Sequence, residues 1–362
     1  LRWRECVAAG QRASHLLDAG IAGGSFATNL DQLGARSLAL ESNSWTLSDQ
    51  TKVIGDNNLG YSDALSTLWW DSVLEASNVL LNSPVTEIDT SGSNVVVSDA
   101  KGQRHLARQV IVTVSIGVLQ QEIINFTPAL PASTVTAYNS IGFDKGMKVA
   151  LRFESPWWET EGQPLAWLVT EGLAGACWAP SNYKLEAGSH ILMCYPMGSN
   201  GVALADIGLA AGGGDDGERA VVASILEDLD RVFPQALGEA SPNFLEAVVQ
   251  DWGSETYTLG VYSYPKVETR LSLTDNQRRV LKTPVADDRI FIAGEATHET
   301  HPATVVGAIH EGERAALRVH DVNGTPGNPP SLSVPLAPER RAAEKHIRPL
   351  HIPDPYPRVP VP

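Results

Sequence analysis

The sequence predicts a mixed α/β fold of the α+β kind, and three stretches carry that reading. Residues 290–316 run as a short apolar strand, a Gly294-Glu295 turn, a polar loop stopped by Pro302, and a helix with small residues on its packed side. Residues 79–114 alternate apolar and polar positions and are punctuated by Ser91-Gly92-Ser93-Asn94 and Ala100-Lys101-Gly102, as hairpins are. Residues 147–196 hold four further strand candidates, and Glu218 to Phe233 reads as an amphipathic helix ended by Pro234.

In chain order, residues 2–19 show helical spacing, followed by a polar stretch interrupted by glycine up to about Asn58. Gly60 to Leu65 reads as a turn opening a helix capped by Ser62. Strands are expected at 79–81, 85–89, 95–98 and 105–114, then at 147–153, 164–169, 174–179 and 190–196. Gly212-Gly213-Gly214, beside Asp215 and Asp216, reads as a loop. The helix starting near Thr304 shows no obvious partner for its first backbone N–H groups, while Arg314, Arg318 and His320 complement the dipole toward its far end. An electron-rich group is therefore expected at its start. After Asn323 the chain turns proline-rich, as an extended tail does.

Composition sets bounds. At 362 residues and 43% apolar content the chain has material for two domains and a sizeable core. No run approaches the ~18 to 20 apolar residues of a membrane helix. Cys6, Cys177 and Cys194 are too few for a disulfide framework or a metal site and read as buried small hydrophobes, although Cys177 and Cys194 sit on candidate strands where they can be neighbours. A net charge of −15 argues against nucleic acid and acidic membrane surfaces as partners and favours cationic small molecules, with plain solubility as the simpler explanation.

The 290–316 stretch resembles the C-terminal flavin-binding motif of the flavin-dependent amine oxidases, the family of monoamine oxidases, polyamine oxidases and flavin histone demethylases. Three further stretches resemble that family in its order. Residues 109–120 are similar to its "VTVPLGVLK" strand and turn, with Ser115 where proline is usual. Residues 146–158 are similar to the strand with its single active-site lysine, and residues 252–264 to its "W…G-x-Y-S-Y" segment. The resemblance implies a remnant of a Rossmann-like FAD-binding domain and a substrate domain with an antiparallel sheet and helices. The divisions are residues 1–60 for the helical part of the substrate domain, 61–128 and 285–322 for the FAD-binding segments, 129–284 for the substrate domain, and 323–362 for the tail.

What the resemblance implies for the site follows residue by residue. FAD is the cofactor, held by Val85, Thr113, Trp252, Gly294, Glu295, Ala303, Thr304 and Val305, with Trp252 either a flavin-side wall or plain packing. Lys148 is the catalytic lysine that holds a water against flavin N5, its pKa lowered by burial; a surface lysine on a half-exposed strand is the bland alternative. Tyr262 forms one wall of an aromatic cage for the amine. Thr304 stands where some members carry a second tyrosine, as in the polyamine-oxidase and demethylase branch. His298 and His301 read as loop hydrogen-bonding residues, and no metal site is expected.

The family's opening G-x-G-x-x-G turn is missing, and the chain opens at Leu1 without an initiator Met. The expectation is therefore an N-terminal companion chain or segment supplying that half of the FAD site, either cleaved and retained or outside this polypeptide. The reaction implied is oxidation of a polyamine-like amine, with O2 as second substrate and H2O2 as product. An L-amino acid oxidase is the alternative, and a non-catalytic subunit or scaffold the third.

Overall fold

A computed structural model describes residues 27–29, 31–33, 79–159, 165, 167–179, 190–233, 236–267 and 277–323. The expected helices at 2–19 and from Ser62, and the tail, lie outside the described residues.

The chain first builds a meander of β1 (Val85–Asp89), β2 (Val95–Asp99) and β3 (Arg104–Ala107), paired antiparallel. Asp99 organises the second turn by accepting the amides of Lys101 (2.9 Å) and Gln103 (2.9 Å) and the hydroxyl of Ser83. Those bonds, Ser83 first, hold its carboxyl below the usual range against the opposing effect of burial. Residues 79–81 are not a strand. They form an exposed approach to β1, and a run of three apolar residues gains nothing from extension without a partner strand.

The single strand expected at 105–114 is two. β4 (Val110–Val112) leaves the meander at Arg108 and Gln109 to pair in parallel with β13 (Ile290–Ile292). The helix α1 (Ile116–Gln120) follows, capped by Ser115, whose Oγ accepts the Val118 amide (3.2 Å) and donates to the Thr258 carbonyl (2.6 Å). A proline there would make neither bond. β5 (Asn125–Thr127) adds to β1 in parallel, and α2 (Ala132–Ser140) and β6 (Ile141–Phe143) lead onward.

The second sheet has the order β11–β7–β10–β9–β8, antiparallel throughout. Its strands are β7 (Met147–Phe153), β8 (Leu168–Val169), β9 (Ala176–Trp178), β10 (His190–Tyr195) and β11 (Phe244–Asp251). Strict alternation in β7 buries Met147, Val149, Leu151 and Phe153 on one face. Against that face pack α3 (Ser199–Ala210) and α4 (Gly214–Leu229), through Leu204, Val221, Val222, Ile225 and Leu229. α4 starts four residues earlier than its apolar pattern suggests, because Asp215 and Asp216 in its first turn favour the positive end of the helix dipole. Phe153 is the hub, with Trp157, Trp158 and Phe244 set edge-on around it at 5.6, 5.4 and 6.1 Å.

Cys177 and Cys194 are not free thiols. They face each other across β9 and β10 and form a buried disulfide. Antiparallel register brings directly opposed side chains within bonding reach, which spacing along the sequence does not reveal.

A short α5 (Ala240–Asn243), β12 (Ser263–Pro265, paired with β6), α6 (Gln277–Leu281) and α7 (Val305–Val322) complete the described elements. A second core gathers Ile88, Val112, Ile116, Tyr138, Leu281, Ile290 and Ile292 beneath the meander and the parallel pair. Phe153→Ala should cost about 3–5 kcal/mol, read from the shift in a urea unfolding transition at unchanged slope.

Candidate functional site

The parallel pair β4 and β13 ends at Thr113, which is exposed, and at Gly294. Open α/β sheets bind ligands beyond such carboxyl ends. Gly294 turns the chain at φ 132° and ψ 174°, a region open to glycine alone, and nothing lies within 4 Å of where a Cβ would stand. Bare backbone therefore faces open space.

The Glu295 side chain points back into the protein. Its Oε1 accepts the Ser263 amide (3.1 Å), and its Oε2 accepts the Ser263 hydroxyl (2.7 Å) and the Ala303 amide (2.6 Å). The Arg278 guanidinium, 2% exposed, donates to the Ser263 Oγ (2.8 Å) and the Ala296 carbonyl (2.9 Å). Glu295 thus ties the turn after β13, the start of β12 and the approach to α7 to one another. It shapes a cofactor site through the backbone it fixes rather than through a free carboxylate.

Ala303 adopts φ 61°, held there by its bond to Glu295, and hands the chain to Thr304. Thr304 caps α7. Its Oγ1 accepts the Gly307 amide (2.9 Å) and donates to the His301 carbonyl (2.8 Å), correcting the expectation of an unpartnered helix start. Gly307 is required by contact, since a Cβ there would stand 2.0 Å from the His301 oxygen. Val305 begins the helix and is exposed.

Arg314 does not serve the C-terminal end of α7 as expected. Its Nε meets Glu311 (2.6 Å) and its Nη2 the Ile292 carbonyl (3.0 Å), while Thr297 donates to Glu311 (2.9 Å). The pair clamps α7 onto β13. The expected loop bonding of the histidines is present: His298 Nδ1 accepts the amides of Thr300 (3.2 Å) and His301 (2.9 Å). Burial pushes His298 below its ordinary pKa, Glu311 opposes this, and His301, His310 and Lys282 add to it. Among the described residues no group of His, Cys, Asp or Glu is placed to hold a metal ion.

A second cluster lies on the other face of the five-stranded sheet. Lys148 projects there, exposed rather than buried as expected, because the alternation that buries Val149 turns its neighbour outward. Its Nζ sits 5.7 Å from the centre of the Trp178 ring. Trp178 stacks on Trp167 (5.4 Å, 12°) and meets Tyr195 edge-on (6.1 Å). Tyr262 lies beside Tyr195 and the Ala27 backbone. Burial first, then Tyr195 and the Glu295 charge, push the Tyr262 phenol far above its usual range. Burial also raises Tyr195, moderated by the neighbouring Tyr262. Both phenols stay neutral and act as hydrogen-bond and π partners, not as bases.

Tyr262 precedes Ser263, so Glu295 joins this cluster to the cradle. Trp252, 38% exposed, frames the loop before Tyr262 through backbone bonds to Gly146 (3.2 Å) and Gly260 (3.1 Å). Val85 stands apart at the start of β1, packed against the core that holds Ile290 and Ile292. Sequence reasoning missed Trp178, Tyr195 and Arg278; the alternation of β9 and β10 was the available signal for the first two.

A family model for flavin containing amine oxidoreductases matches residues 10–320. This chain belongs to that family. FAD is the family's cofactor, and the open glycine turn at the carboxyl end of a parallel pair suits such a group. Histone demethylase-like protein A of Aspergillus fumigatus is 32% identical over 307 residues, covering 82% of this chain and 26% of that protein. Probable polyamine oxidase 4 of Arabidopsis thaliana is 28% identical over 259 residues, covering 71% of this chain and 46% of that one. The chain therefore spans a quarter to under half of these relatives. The cyclohexylamine oxidase of Brevibacterium oxydans shares the fold, with TM-score 0.66 at 18% identity over 89% of this chain and 67% of that one. The comparisons give no support to a separate N-terminal companion chain.

Glu295→Ala leaves the Ser263 and Ala303 amides without their acceptor. It should cost about 1–3 kcal/mol for the buried Ser263 donor and less for the half-buried Ala303 one, and speed hydrogen exchange at both amides. For His298 the sign follows from its lowered pKa: stability is present above the ordinary value of about 6.5 and falls as the pH drops through it. His298→Asn keeps an acceptor for the two amides without the titration, so its thermal melts should lose less between about pH 7.5 and about pH 5.5 than the wild type.

Proposed function

We propose that this chain forms the amine-oxidising site of a flavin-dependent oxidase acting on cationic amines of the polyamine kind. The observation that carries the reading is the juncture at Ser263 and Glu295, where a cradle suited to a flavin meets the lysine and aromatic cluster. The chemistry FAD supplies when bound is acceptance of a hydride at N5 from the amine C–H bond and delivery of two electrons to O2, giving H2O2.

The residues of the chain supply the rest. Thr113, the bare backbone of Gly294, and the Ala303-Thr304-Val305 segment would hold the cofactor, with the α7 dipole favouring its electron-rich edge. Glu295 keeps that segment in place from behind. Trp252 would close one side of the pocket and Val85 contribute backbone at the adenine end. Lys148 would hold a water on the amine side through its ammonium donors. Tyr262, kept neutral by burial, would present a π face to the amine, which is attractive while the nitrogen is protonated and still apolar enough to receive it neutral. The net charge of −15 draws polycations toward the protein.

A second reading, oxidation of an N-methylated lysine side chain, is favoured by the demethylase-like name of the Aspergillus relative. Anaerobic mixing of the yellow, FAD-loaded protein with spermine, with a methyl-lysine peptide or with amino acids separates the readings. Bleaching by spermine supports the first and bleaching by the peptide alone the second. Bleaching by amino acids alone supports an amino acid oxidase, and a colourless preparation without peroxide formation a non-catalytic role. Lys148→Met should keep its FAD yet slow flavin reduction or reoxidation by orders of magnitude; undiminished turnover would remove Lys148 from the mechanism.

A further inference from the structure

Two aromatic residues without an assigned role lie between the two groups that have one. Lys148 stands on β7 and Tyr262 just before β12, on separate sheets. Trp178 and Tyr195 bridge them. The cross-strand pairs Trp178 with Met193 and Ala176 with Tyr195 set both rings on the Lys148 face, and the disulfide between their neighbours fixes β9 against β10. Among the described residues Lys148 has no carboxylate partner, so the Trp178 π face is the group that holds its ammonium. Trp167, 49% exposed, stacks on Trp178 and holds the plane of that ring.

We propose that Trp178 is a positioning residue of the amine site, anchoring the Lys148 ammonium over its ring, with Tyr195 set edge-on against Trp178 to keep that ring in place. The proposal rests on the amine-oxidase reading. A lysine side chain has four rotatable bonds, and an exposed one wanders unless something attracts its head group. The Trp178 face does so without a counter-charge that would neutralise the ammonium. Tyr195 meets Trp178 edge-on, so a shift of one ring is felt by the other.

The test uses the full chain loaded with FAD and follows anaerobic bleaching by saturating spermine. The limiting rate of bleaching is compared between variants. Trp178→Leu should slow it roughly two- to fivefold, recover largely in Trp178→Phe, and add nothing once Lys148 is Met. Losses that multiply in the double variant, or a Trp178→Phe variant as slow as Trp178→Leu, would overturn the proposal.

A second readout needs no turnover. Acetic anhydride should modify Lys148, followed by mass spectrometry, several-fold faster in Trp178→Leu than in the wild type or Trp178→Phe. Equal rates would overturn the Trp178 assignment. A wild type that no amine bleaches counts against the oxidase reading alone, because the labelling still decides the positioning role.

Discussion

One carboxylate organises the molecule where chemistry is expected. Glu295 accepts three hydrogen bonds from two segments remote in sequence, and Arg278 supports the arrangement from behind through Ser263. A half-buried carboxylate with three donors loses much of its stability when any partner is displaced. The turn after β13, the positive φ of Ala303, the cap of α7 and the start of β12 therefore stand or fall together. Because Tyr262 is the residue before Ser263, the aromatic cluster inherits its position from the same interaction.

The ion pair of Glu311 and Arg314 does comparable work one turn deeper. Glu311 is buried and takes the Thr297 hydroxyl as well as the Arg314 guanidinium, while Arg314 reaches back to the Ile292 carbonyl. Such pairs add little net stability but penalise any alternative placement heavily. α7 is thereby held in one register over the strand.

Much of this was legible along the sequence wherever a local pattern maps onto a local structure. The limits of β7 and β1 follow from period-two alternation, and the strand, turn and helix at 290–322 follow from apolar spacing and Pro302. Illegible features depend on partners far away in the chain. The break between β3 and β4 exists because they pair with different strands, and residues 79–81 fail as a strand for want of a neighbour. Lys148 is exposed because of what packs behind its sheet. Cys177 and Cys194 bond, and Trp178 and Tyr195 share a face, through a register that no single segment encodes. Of the site residues named from sequence, Ala303 is tied directly to Glu295, Tyr262 and Gly294 are chain neighbours of that juncture, and Val85 lies on a different sheet.

The covalent link between β9 and β10 has a mechanical meaning. Adjacent strands in a sheet ordinarily slip and breathe by fractions of an ångström as temperature rises. A sulfur bridge one residue from both Trp178 and Tyr195 blocks that shear at the point where their rings touch. The spacing of indole and phenol is then tied to the backbone separation at the bridge rather than to the outer strands of the sheet.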